Sequence, residues 1–100
     1  MTIDVNNKID VKFWLHYQYP TTIVCDRYNG TYSGAKWLAF PSKSVPQEIF
    51  SDDAECMCFW ENYKGIVGKG ITPKGALLSL RAEMVSKLAD IENTEKEYEL

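Results

Sequence analysis

Histidine is almost missing from this chain, and with it goes the commonest route to acid–base or nucleophilic catalysis. Of the 100 residues only His16 is a histidine, and no Ser, Cys or carboxylate stands at a recognisable triad spacing from it. It reads as a half-exposed strand residue, and the chain is expected not to be an enzyme. Cysteine is sparse and odd in number: Cys25, Cys56 and Cys58 read as free thiols in a reducing compartment. Together with His16 they make a count of four soft ligands, but the second compact pair of a zinc knuckle is lacking, so no metal is expected. Long apolar runs are absent. None approaches the roughly 18 residues of a membrane span, and the polar start Met1-Thr-Ile-Asp-Val-Asn-Asn-Lys has no secretory character. The expectation is a cytoplasmic protein without a membrane partner, in which the sequon Asn29-Gly30-Thr31 has no meaning. An excess of base is also lacking: an isoelectric point near 5.1 excludes a strongly basic DNA-binding domain. Gly65-x-x-Gly68-x-Gly70 lacks both the Gly-Lys-Ser/Thr ending and the glycine spacing of a nucleotide fingerprint, so no cofactor is expected.

What the chain does have is apolar and aromatic residues, 45% and 13% of the total, enough for one small core. Its charge is segregated. Residues 52–61 carry Asp52, Asp53, Glu55 and Glu61 with no base. Residues 62–89 hold Lys64, Lys69, Lys74, Arg81 and Lys87 against Glu83 alone, and residues 90–100 carry five acids against Lys96. Such a pattern steers association with a partner of opposite charge; it does not set the fold.

Val11, Phe13, Leu15 and Tyr17 alternate with polar or amphipathic neighbours, which predicts a first strand ending at Pro20. Thr21–Cys25 is β-branched and short, and Lys36–Phe40 is apolar and stopped by Pro41. These predict a hairpin with a long connection. Pro46–Phe50 predicts a single helical turn. Asp52 followed by Glu55 has the form of an N-cap and capping box, predicting a short helix over 53–62. Residues 65–70 predict a fourth, glycine-weakened strand. Thr72-Pro73 then opens a helix whose apolar stripe runs Leu77, Leu80, Met84, Leu88, Ile91. The fold class expected is α+β: a mostly antiparallel sheet of about four strands with the long helix on one face. Residues 1–91 form a single domain, and 92–100 an acidic tail expected to fray.

The connection Asp26-Arg27-Tyr28-Asn29-Gly30-Thr31-Tyr32-Ser33-Gly34-Ala35-Lys36-Trp37 packs three aromatics, two glycines and an ion-pairable Asp26-Arg27 couple into one turn. Stiff aromatics presented by a turn are good anchors for a partner. Tyr28, Tyr32 and Trp37 are therefore the expected partner-binding anchors, with Asp52, Asp53 and Glu55 supplying steering and register. A competing set is Lys69, Lys74 and Arg81, of which the last two lie seven residues apart on one helix face and suit phosphate contacts in a nucleic-acid reading. Exposed members of the group Trp14, Trp37, Trp60, Phe59 and Tyr63 would suit a protein partner or a homodimer.

The stretch from Asp26 to Gly34, taken with Gly68-x-Gly70-x-Thr72-Pro73-x-x-Ala76-Leu77-x-x-Leu80, resembles a group of small uncharacterised bacterial and phage proteins. The second half alone resembles the strand-to-helix signature of HicB-like antitoxins. The first resemblance implies a small protein of a phage or mobile element that binds a host protein, including components of defence systems, in the manner of an anti-CRISPR inhibitor. The second implies toxin neutralisation or nucleic-acid binding.

Overall fold

The computed structural model describes residues 3–98, with side chains through residue 95. Its first regular element is a helix, α1 (Lys8–Tyr17), where the alternating pattern predicts a strand. The same residues carry a second period. Val11 and Trp14, three apart, are fully buried, and Leu15 follows on the same side. The start is fixed by Asn7, whose side-chain oxygen accepts from the Ile9 and Asp10 amides at 3.0 and 3.1 Å. That satisfies amides which a strand would have had to pair elsewhere. Gln18, at φ 54° in the left-handed region, ends the helix and returns its N–H to the Trp14 carbonyl. The indole N–H of Trp14 donates to the Pro20 carbonyl at 3.1 Å and the Thr21 hydroxyl at 3.0 Å, so the buried ring also holds the chain leaving the helix.

The sheet has three strands rather than the expected four: β1 (Thr22–Cys25), β2 (Trp37–Phe40) and β3 (Gly68–Gly70), antiparallel in that order. Thr22 pairs with Phe40 and Cys25 with Trp37 across the hairpin, and Leu38 pairs with Lys69 across the second ladder. Side chains alternate across the central strand. Trp37 and Ala39 pack with Val11, Trp14, Leu80 and Met84, whereas Leu38 and Phe40 pack with Ile49, Phe59, Trp60 and Tyr63. The sheet is thus covered on both faces, where the sequence suggested one.

The second layer comprises a 3₁₀ turn (Gln47–Phe50) and helix α2 (Asp53–Asn62). Asp52 caps α2, its carboxylate accepting from the Glu55 amide at 3.0 Å, as the capping signature predicts. On the other face lies α3 (Pro73–Tyr98), opened by Thr72, whose hydroxyl accepts from the Gly75 amide at 3.0 Å. Ala76, Leu80 and Met84 are fully buried, with Leu77, Leu88 and Ile91 packed around them. The backbone stays helical beyond Ile91 to Tyr98, through residues expected to belong to a frayed tail, and Glu95 there pairs with Lys8 of α1 at 2.9 Å. The glycines of β3 set the distance between sheet and helix. A Cβ on Gly68 would lie 2.1 Å from the Ala76 carbonyl oxygen, so only the bare backbone fits.

Candidate functional site

The hairpin connection is organised from within by Asp26. Its carboxylate is buried and accepts from the Tyr28 amide at 3.0 Å, the Gly30 amide at 2.8 Å and the Ser33 hydroxyl at 2.6 Å. Three donors converging on one carboxylate fold the turn back on itself. Gly30 is required there twice over: its φ is +90°, and a Cβ would meet the Ala35 backbone at 3.1 Å. The anticipated ion pair between Asp26 and Arg27 is not formed. Arg27 instead reaches across to the end of the 3₁₀ turn and donates to the carbonyls of Phe50 and Ser51, while its guanidinium lies 5.3 Å from the centre of the Tyr28 ring.

Tyr28 follows the same path, its hydroxyl donating to the Ser51 carbonyl. Tyr32 packs edge-on against it, ring centres 5.3 Å apart at 71°. Both rings are partly buried. They neither project freely from a hairpin tip nor enter the core; they lie against the start of α2, beside Asp53. Partial burial raises the pKa of both phenols. For Tyr32 the neighbouring Asp53 carboxylate adds to this by favouring the protonated, hydrogen-bonding form. For Tyr28 the Arg27 charge works in the opposite direction, and Asp53 and Asp52 raise it. Four of the six expected partner-binding residues, Tyr28, Tyr32, Asp52 and Asp53, are thereby brought together, and Glu55 sits exposed in the same first turn of α2.

Trp37 does not join them. It starts β2 and packs into the α1–α3 side of the sheet, because its place in the strand alternation points it away from Leu38 and the α2 layer. Two residues that sequence reasoning passed over do border the surface: Phe50 and Met57 are exposed by 37% and 42%. The available signal was their position beside the Asp52 cap, on a helix with few apolar residues to bury.

The basic set is divided. Lys69 pairs with Leu38 in the sheet and so faces the α2 layer, its ammonium 5.6 Å from the Trp60 ring centre. Lys74 and Arg81 are exposed on α3. The cysteines are scattered as well. Cys25 and Cys58 are exposed, and Cys56 is buried, its sulfur 3.8 Å from the Ile49 carbonyl. Burial raises the Cys56 pKa, with the Trp60 indole working against that shift. The indole N–H of Trp60 has no acceptor in hydrogen-bonding geometry among the described residues, and this soft sulfur is its polar neighbour. Among the described residues no three His, Cys, Asp or Glu side chains come together in a way that could hold a metal ion. An open groove of about 430 Å³ is bordered by Val5, Phe40, Val45, Tyr63 and Ile66 together with Ser42 and Ser44, and contains none of the six expected partner-binding residues.

Among the described residues no helix is long and apolar enough to cross a membrane. In comparisons with known proteins, no family model, no curated protein and no solved structure matches the chain.

Proposed function

We propose that the chain is a non-enzymatic protein-interaction module of the kind carried by phages and mobile elements, acting in the host cytoplasm by binding and occluding a host or defence-system protein. The observation that carries this reading is the joining of the tyrosine pair to the acidic start of α2. Tyr28 and Arg27 fasten the hairpin connection to the Phe50 and Ser51 carbonyls, so Tyr32, Asp52, Asp53 and Glu55 are held in one arrangement before any partner arrives. Preorganised aromatic area bordered by charge of one sign supports tight binding at low entropic cost, with the acids steering the encounter. A partner with a basic rim around an apolar centre is the complement.

The test is capture from bacterial lysate with the immobilised chain, followed by identification of the captured protein. Capture of a specific protein by the wild type, lost with Tyr32→Ala and with Asp53→Lys but kept with Lys74→Glu, is the expected result. Capture indifferent to the first two substitutions, or no capture at all, would end the proposal.

The alternative, a HicB-like antitoxin or nucleic-acid-binding module, rests on Lys69, Lys74 and Arg81. It is the weaker reading because Lys69 is turned towards Trp60, leaving only two of these three bases, Lys74 and Arg81, together on α3. Salt-sensitive binding of DNA or RNA that Lys74→Glu abolishes would restore it.

A further inference from the structure

α3 has a second apolar stripe, on the side opposite the core. Leu78, Ala82, Val85 and Ala89 follow one another in steps of four, three and four residues and are all exposed, Leu78 by 55% and Val85 by 52%; Ile71, in the bend just before the helix, is exposed by 85%. The buried stripe of Ala76, Leu80 and Met84 lies half a turn away. From Leu78 to Ala89 the outer stripe is roughly 17 Å long at the helical rise. Single exposed leucines need no explanation, but a continuous helical seam in a polar helix does.

We propose that this seam is the interface of a homodimer in which the α3 helices of two copies pack antiparallel about a two-fold axis between Ala82 and Val85. Two features of the chain select this occupant. The seam alternates large and small residues, and in an antiparallel pair Leu78 of one copy meets Ala89 of the other while Ala82 meets Val85, so each large side chain enters the space left by a small one. The flank of the seam is also antisymmetric in charge: Lys74 and Arg81 lie towards its N-terminal end and Glu92 on the same flank towards its C-terminal end. Antiparallel packing sets Lys74 beside Glu92 of the second copy. Parallel packing about a two-fold would set Leu78 against Leu78 and Ala82 against Ala82 along the seam and place Lys74 and Glu92 at opposite ends, so neither the size alternation nor the charge pair would be used. A lipid surface suits the seam less well, because interfacial helices carry basic polar faces and this helix turns acidic beyond Lys87. The contact is isologous, so it closes on two copies.

The experiment is sedimentation equilibrium of the full chain across a concentration series. The wild type is expected as a reversible dimer. Leu78→Glu combined with Val85→Glu alters only exposed positions, and is expected to weaken association by at least about a hundredfold with the circular dichroism spectrum of the fold retained. Orientation is read by disulfide trapping in a background with Cys25→Ser and Cys58→Ser. A mixture of Leu78→Cys and Ala89→Cys chains should cross-link to each other, and Leu78→Cys alone should not. A wild type that stays monomeric at about 100 μM, a range in which weak dimers are populated, would overturn the proposal. So would a dimer untouched by the double substitution, or efficient cross-linking of Leu78→Cys to itself.

Discussion

At the scale of single residues, the candidate surface depends most on Asp26, which no partner would touch. Its two carboxylate oxygens face only donors, from Tyr28, Gly30 and Ser33. Asp26→Asn therefore replaces an acceptor with an amide NH₂ that opposes a donor whichever way the group is turned. A loss of about 2 kcal/mol in urea-unfolding free energy is expected, because a buried donor left unpaired costs about that much; an unchanged midpoint would show that the turn is held by something else. Tyr32 gives a second, spectroscopic handle. Its folded-state pKa is raised, by partial burial and then by Asp53, so the protonated phenol is the form the fold favours. That contribution is complete below the ordinary phenol pKa, about 10, and disappears as pH rises through the folded-state value. Asp53→Asn removes the second cause, and the ultraviolet titration of tyrosinate should move to lower pH. A curve superimposable on the wild type would mean that Asp53 does not act on Tyr32.

At the scale of elements, legibility tracked how local the deciding interaction was. The helix starts at Asp52 and Thr72 are read correctly from sequence because a cap is made within three residues of itself, and the hairpin because its β-branched and apolar segments are contiguous. α1 is misread because Val11, Phe13, Leu15 and Tyr17 satisfy period two while Val11, Trp14 and Leu15 satisfy the helical period. Only Asn7 separates the two readings, through its bonds to the Ile9 and Asp10 amides. The candidate site is legible in the same uneven way. That Tyr28 and Tyr32 share a turn and that Asp52, Asp53 and Glu55 share a helix start is visible in the spacing; that the two groups meet, that Arg27 binds carbonyls more than twenty residues away and that Trp37 faces the α3 layer depend on tertiary packing which no local pattern records. β3 shows what such packing demands. Because a Cβ at Gly68 would sit 2.1 Å from the Ala76 oxygen and 2.5 Å from the Leu80 nitrogen, Gly68→Val must push α3 off the sheet. A destabilisation of about 3 kcal/mol is expected by chemical denaturation; near-wild-type stability would mean that the helix can slide without loss.

At the scale of the whole molecule, the sheet separates two jobs. β2 is paired on both sides and its Leu38, Ala39 and Phe40 are at most 2% exposed, so it belongs to the last part of the structure to open. On one side α3 lies close against all three strands and turns its outer seam away from the core. On the other, α2 and the 3₁₀ turn meet the sheet through side chains such as Ile49, Phe59 and Trp60 and carry the tyrosine–acid surface. An antiparallel dimer through α3 would leave that surface free on both copies, facing outwards, which converts a modest single-site affinity into avidity for a partner that is itself repeated. The same division predicts unequal local stability. The α2 layer is pinned to the hairpin connection by Arg27 and Tyr28, so Arg27→Ala should speed amide hydrogen exchange in residues 28–34 and in the first turn of α2. Exchange in β2 and the Ala76–Met84 part of α3, which opens only on global unfolding, should change far less. Equal acceleration throughout would show that the two layers unfold as one unit and that the surface has no local stability of its own to regulate.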